Sequence, residues 1–231
     1  MKTNMKKIIM TALVALLTAP CFAQSADETI YTSPNGKFTF DVVGHLGAGH
    51  HFVQTDGYKP YSSTEFFMNI VKFGLYPVEH LGLELGVDIQ FNTFLYKDTA
   101  FAQVDGLIKP VSFSTLGFGD SFDSKSGSIS VFGFGAPVLV KGFFNDIRIG
   151  VGPVFSWNIT GDTNVYLSKD NRDLTYHESD AKVNPFSYGL MAVLGYKVFD
   201  VYFKYYPKSV RILPEGSIDM SYMTLGIALG L

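Results

Sequence analysis

At 231 residues the chain is sized for one domain, and it is 47% hydrophobic, 17% charged and slightly acidic, with a formal charge of −3. It has no basic run, which argues against a nucleic-acid partner. A single cysteine, Cys21, excludes disulfide pairing within the chain and any multi-cysteine metal site. The mean hydropathy of +0.17 is high for a secreted soluble protein. Yet no apolar run beyond the first twenty residues approaches the ~20 residues of a membrane-crossing helix.

Residues 1–23 read as a signal peptide. Lys2, Lys6 and Lys7 precede the short apolar core Ile8 to Leu17, and Cys21-Phe22-Ala23 is a small-x-small cleavage site that places the cut after Ala23. Removal takes away three lysines, so the charge becomes −3 − 3 = −6. Residues 24–36 are expected to be a short periplasmic segment, and residues 37–231 a single β-domain.

Eight stretches then alternate apolar and polar residues, the signature of a half-wet strand. They are Lys37 to Gln54, Phe66 to Tyr76, Leu81 to Thr93, Ser128 to Lys141, Ile147 to Ile159, Phe186 to Lys197, Phe199 to Tyr206 and Ser221 to Leu231. The third is the clearest: Leu81, Leu83, Leu85, Val87, Ile89 and Phe91 alternate with Gly82, Glu84, Gly86, Asp88, Gln90 and Asn92. In the second, the alternation sends Phe67, Val71, Phe73 and Leu75 outward and Lys72 inward.

The connections alternate short and long. The short ones are Pro77 to His80, Gly142 to Asp146 and Val198. The long ones are Thr55 to Glu65, Tyr96 to Gly127, Thr160 to Pro185 and Pro207 to Met220. Spread-out apolar content without helices, and loops segregated by length, predict an all-β transmembrane antiparallel up-and-down barrel with a filled polar lumen. A β-sandwich also alternates, but it does not sort its loops this way. Eight strands are expected. Two further strands in Tyr96 to Gly127 would make ten, and that loop would otherwise fold over the mouth. Pro137 and Pro153 lack ladder N–H groups, so a bulge or a water is expected at each.

An eight-stranded barrel is just wide enough for side chains to fill it. Lys72, Glu84, Asp88, Lys141, Arg148, Lys197, Asp200 and Lys204 are assigned to the lumen as a paired, water-excluding charge network. The five histidines show no metal-ligand spacing: His50 and His51 face opposite ways, His80 lies in a turn, His177 in a loop, and His45 alone in the lumen. Neither a cofactor nor a metal is implied.

Thr224, Gly226, Leu229 and Leu231 resemble the terminal signal read by the outer-membrane insertion machinery, without its usual final aromatic. Phe134-Gly135-Ala136-Pro137-Val138-Leu139-Val140-Lys141 followed by Ile149-Gly150-Val151-Gly152-Pro153 resembles the small outer-membrane β-barrel domain family of Bacteroidetes-type bacteria, the PorT-like and OmpX-like barrels. The resemblance covers roughly residues 36–231. It implies an outer-membrane location in a Gram-negative cell, contact with outer-membrane lipid or lipopolysaccharide, and a monomer.

The expected role is structural or in surface interaction, through a surface or envelope partner, and non-catalytic. A narrow transport channel is a lesser alternative. So is a lipid A-modifying barrel enzyme, since His177-Glu178-Ser179 has the His-x-Ser spacing of barrel deacylases. That motif lies in a polar stretch, and no acid follows it before Asp200 to orient the histidine. Asp162 to Leu167 and Leu174 to His177, flanking Lys169 to Asp173, read as a hairpin prolonging two strands beyond the membrane. Its exposed edge suits β-augmentation.

Overall fold

The computed structural model describes residues 29–32, 37–42, 45–55, 58–78, 80–118, 122–170, 172–207 and 211–230. The expected signal peptide, its expected cleavage site and Leu231 lie outside them. The described strands are β1 (Thr29–Thr32), β2 (Phe38–Val42), β3 (His45–Gln54), β4 (Lys59–Pro60), β5 (Ser63–Val78), β6 (Leu81–Lys97), β7 (Ala100–Val104), β8 (Leu107–Val111), β9 (Ser124–Phe144), β10 (Ile147–Lys169), β11 (Arg172–Ala181), β12 (Phe186–Tyr196), β13 (Phe199–Tyr206) and β14 (Ser221–Gly230).

Eight of these close a ring. β3, β5, β6, β9, β10, β12, β13 and β14 each pair antiparallel with the next, and β14 returns to β3. Every neighbour is the next ring strand in sequence, so the sheet is an up-and-down barrel of eight strands. The predicted first strand is two pieces: β2 pairs β5 over Val71–Leu75, and β3 pairs it over Ser63–Met68. β1 adds to β2 on the side where β14 meets β3.

The alternation of β6 is realised side by side. Leu81, Leu83, Leu85 and Phe91 are 40–48% exposed, while Glu84, Asp88, Gln90 and Asn92 are buried. The same face recurs around the ring, with Ile149, Val151, Trp157, Leu190, Leu194, Val201, Phe203, Leu225 and Ile227 all exposed. So continuous an apolar exterior far exceeds what a water-facing surface carries. On β6 it runs eleven residues, about 36 Å along the strand and roughly 25 Å in height at a barrel tilt of about 45°. Aromatic residues mark one end of the band. Phe66, Phe91 and Phe132 are cross-strand neighbours, as are Phe134, Trp157 and Phe186.

β5 corrects the sequence reading. Its register with β6 shifts between Asn69 and Val71, so one residue bulges and the facing parity reverses. Before the bulge the odd residues point inward. Phe67 is therefore buried in the lumen, not outward, and Glu65 joins it there. After the bulge Lys72 points inward as expected.

Of the bulge or water expected at each proline, the register shows no bulge. The β6–β9 register continues unchanged from Leu85↔Val138 to Asp88↔Gly135, and the β9–β10 register from Val151↔Val140 to Val154↔Pro137. The ladder is interrupted and resumes in phase. Glycines make this fit: a Cβ on Gly152 would run into the Val138 carbonyl oxygen, and one on Gly86 would lie 3.0 Å from Pro137 Cγ.

The loop Tyr96 to Gly127 does not widen the ring. β7 and β8 form a separate two-stranded sheet. Asp105-Gly106, both at positive φ, make its tight turn.

Candidate functional site

Three layers follow one another along the interior. At the short-turn end, Arg148 Nη2 is 2.8 Å from Asp200 Oδ1, and His45 Nε2 is 3.4 Å from Asp200 Oδ2. His45 lies in the lumen as expected, but not as its one histidine, because His51 of the same strand is buried there too. Lys141 pairs with Glu84 at 2.5 Å, and Tyr76 donates to Glu84 at 2.9 Å. Lys72 lies 3.6 Å from Asp41. Asn69 donates to Asp88 at 2.7 Å. A cavity of about 60 Å³ remains between these groups. It has room for water and not for an organic ligand.

The middle layer is drier. Lys204 Nζ donates to Glu65 Oε1 at 2.6 Å, with both side chains at most 1% exposed. Tyr202 donates to the other Glu65 oxygen at 3.0 Å. The Lys204 ammonium also lies 4.7 Å from the Phe67 ring centre and 5.3 Å from that of Tyr202. Sequence reasoning named Lys204 and missed its partner, because Glu65 sits ahead of the β5 bulge in what reads as loop. His51 and Thr224 share a 2.8 Å hydrogen bond nearby.

The long-loop end is closed by an apolar cap. Phe94, Tyr96 and Tyr222 of the ring meet Phe101 and Ile108 of the β7–β8 hairpin and Ile212, Leu213, Ile218 and Met220 of the last loop. The Ile218 N–H donates to the Ile108 carbonyl at 3.0 Å, and Asn184 Nδ2 donates to the Arg211 and Leu213 carbonyls. The signal for the hairpin was present as Asp105-Gly106 between two apolar runs.

Of the eight residues assigned to the lumen, Lys72, Glu84, Asp88, Lys141, Arg148, Asp200 and Lys204 lie there. Lys197 does not. It occupies the left-handed position (φ 52°) of the two-residue turn between β12 and β13, exposed, with its ammonium 5.4 Å from the Tyr196 ring centre. Alternation carried one residue past the strand end pointed it inward on paper only. Thr224 and Gly226 face the lumen, the latter against the Tyr202 ring, and Leu229 lies between Phe199 and Leu46 on the adjoining strands.

Beyond the cap, the upper parts of β6, β9, β10 and β11 form an arm. β10 pairs with β11 from Gly161 to Lys169, turning at Asp170, so the expected hairpin forms and is longer than expected. One face of the arm packs Val165 and Leu167 on Ala100 and Phe113. The other face carries Ser124, Ser126, Ser128 and Ser130 of β9 beside Asp162 and Asn164 of β10. His177 is on β11, not in a loop, and its Nδ1–H donates to Asn164 Oδ1 at 2.8 Å. Glu178 points the opposite way, accepting from the Gln103 N–H at 3.2 Å. Among the described residues β11 has β10 as its one ladder partner; at the base of its other edge Gln103 Nε2 donates to the Ser179 carbonyl at 2.8 Å, and no strand pairs with the rest of that edge.

No family model matches the chain, and no curated protein matches it in sequence. Solved structures do. Ail, the attachment invasion locus protein of Yersinia pestis, is 12% identical over 84% of this chain and 99% of that one, with a TM-score of 0.35. Neisserial surface protein A is 11% identical over 83% and 97%, with a TM-score of 0.32. The outer membrane protease OmpT from Escherichia coli is 13% identical over 85% and 80%, with a TM-score of 0.34. The chain is similar to these outer-membrane proteins in strand architecture, and its own fold is the closed eight-stranded antiparallel barrel described above.

Proposed function

We propose that this protein is a non-conducting outer-membrane barrel of the PorT-like and OmpX-like kind, whose work is done by the arm above the bilayer. The observation that supports this best is the pairing of an outward apolar band with a filled interior. Only lipid suits the outside, and the Glu65–Lys204 layer and the apolar cap leave no path through the inside. In this reading residues 1–23 direct secretion, and Thr224, Gly226, Leu229 and Leu231 are read by the insertion machinery. Outer-membrane lipid or lipopolysaccharide surrounds the monomeric barrel. The seven charged lumen residues with Glu65 and Asp41 serve as internal ballast, not as a permeation path.

The open edge of β11 then offers backbone groups to an extended segment of a surface or envelope protein. The test compares cells carrying the full chain with cells lacking Lys169 to Asp173. Proteins cross-linked to the purified barrel on intact cells should be lost on deletion. An unchanged cross-linking pattern would remove the arm from the account. A lipid- or ester-modifying role is a second reading, favoured by the His177–Asn164 hydrogen bond.

A further inference from the structure

Building on the open-edge reading above, we infer that the β11 edge takes up the β11 edge of a second copy of this chain, standing in an opposed membrane. The barrel stays monomeric in its own membrane, and the arms bridge two surfaces.

The free length of the edge sets the register. β11 begins at Arg172, and at the other end Gln103 takes the Ser179 carbonyl. Among the described residues no strand lies beside Arg172 to Glu178, and Thr175 is the midpoint of that stretch. An antiparallel pair about a two-fold axis at Thr175 sets Arg172 opposite Glu178, Asp173 opposite His177, Leu174 opposite Tyr176, and Thr175 opposite itself. Arg172-Asp173-Leu174-Thr175-Tyr176-His177-Glu178 is therefore complementary to its own reverse. Cation meets carboxylate, carboxylate meets imidazole, apolar meets apolar and hydroxyl meets hydroxyl. Moving the axis to Tyr176 sets Leu174 against Glu178 and Asp173 against Ser179. Moving it to Leu174 sets Arg172 against Tyr176 and Asp173 against Thr175. Either slip loses both charge pairs.

The faces agree with this pairing. Tyr176 and Leu174 lie across from Val165 and Leu167, and so share the face that packs on Ala100 and Phe113. Asp173, Thr175 and His177 lie across from Ser168, Tyr166 and Asn164 on the other face. Opposite residues of an antiparallel pair share a face, so the two arms join apolar side to apolar side. Leu174 and Tyr176 are 50% and 47% exposed above the bilayer, and the second copy covers them. The charges at Arg172, Asp173 and Glu178 deter an unmatched strand and suit this one.

Strand direction places the second copy. β11 descends from the arm's tip at Asp170 toward the membrane, and barrel strands tilt by about 45°. Two strands that both descend to one flat membrane cannot run antiparallel, so the copy descends to a membrane on the far side. Thr175 pairs with Tyr166 and Tyr166 with Ser126, which lies eight positions along β9 from Phe134, the partner of Trp157. That is roughly 19 Å of height, so the two aromatic rims stand about 40 Å apart. The tip at Asp170 is five positions past the axis and stops short of the opposing rim. So short an edge binds weakly, and many copies on each membrane add up.

The test refolds the full chain in two vesicle populations, one carrying a donor and the other an acceptor lipid dye. Wild-type vesicles should cluster with one another and not with protein-free vesicles, because each membrane must supply an edge. R172E and E178R should each lower clustering about fivefold or more, since each breaks two symmetric pairs, and the two together should restore it. Cysteines in a C21S background read the register. L174C in one population and Y176C in the other should form disulfide-linked dimers, and T175C should link to itself, whereas L174C on both sides should not link. Clustering with protein-free vesicles, or L174C linking to itself as readily as to Y176C, overturns the inference. Wild-type vesicles that stay apart overturn it as well. The open-edge reading falls with it only if deletion of Lys169 to Asp173 also leaves the cross-links on intact cells unchanged.

Discussion

Replacing Lys204 by Met should destabilise the barrel more than any other single change in the lumen. The ammonium is fully buried and holds Glu65 at 2.6 Å. Without it the Glu65 carboxylate keeps one donor, the Tyr202 hydroxyl at 3.0 Å. Leaving one member of a buried ion pair uncompensated costs about 3–5 kcal/mol, or roughly two to three and a half decades in the folded-to-unfolded ratio. Glu65→Gln should cost less. The amide oxygen still accepts from Lys204, and the Phe67 and Tyr202 rings at 4.7 and 5.3 Å continue to face the cation. Combining E65Q with K204M removes both charges, so the double variant should recover to within about 1 kcal/mol of the wild type. Urea titration of protein refolded in vesicles reads this through Trp157, the chain's single tryptophan, with heat-modifiable gel mobility as a second probe. A K204M cost below about 1 kcal/mol, or a double variant as unstable as the sum of the singles, would refute the buried-pair reasoning.

Further outcomes follow from the packing. G152A should destabilise the barrel by about 1–3 kcal/mol, because its Cβ would meet backbone at Val138, whereas G142A has its nearest neighbour at 3.3 Å and should be mild; the same titration distinguishes them. Ile108→Asp should expel the hairpin from the cap, exposing residues 99–123 to protease on intact cells while the barrel keeps its gel mobility. Wild-type protein in planar bilayers should show no stable conductance, since ion layers and cap close the lumen; large steady openings would contradict that. The mature N-terminus should begin at Gln24 by mass spectrometry.

The ring was legible because lipid and lumen impose opposite demands on successive residues. β6, β13 and β14 could be read almost residue by residue. Reading failed where backbone geometry changed parity. One bulge at β5 sent Phe67 inward and hid Glu65, and one left-handed turn residue took Lys197 out of the lumen. The exterior was less legible for another reason. Above the bilayer the lipid-facing side turns polar, so Ser124 to Ser130 of β9 and Thr160 to Lys169 of β10 lose the apolar repeat while remaining strand. The His177–Asn164 contact joins two strands through their register, which no spacing within either strand announces.

The membrane placement of the apolar band is tested most directly by Trp157, which is 68% exposed at its rim. In vesicles of brominated lipid its fluorescence should be quenched most by bromines near the head group. A tryptophan placed at mid-band by L85W in a W157F background should be quenched most by bromines deep in the acyl chain. Strong quenching of either probe by aqueous acrylamide, with none by brominated lipid, would contradict the barrel's lipid-facing exterior.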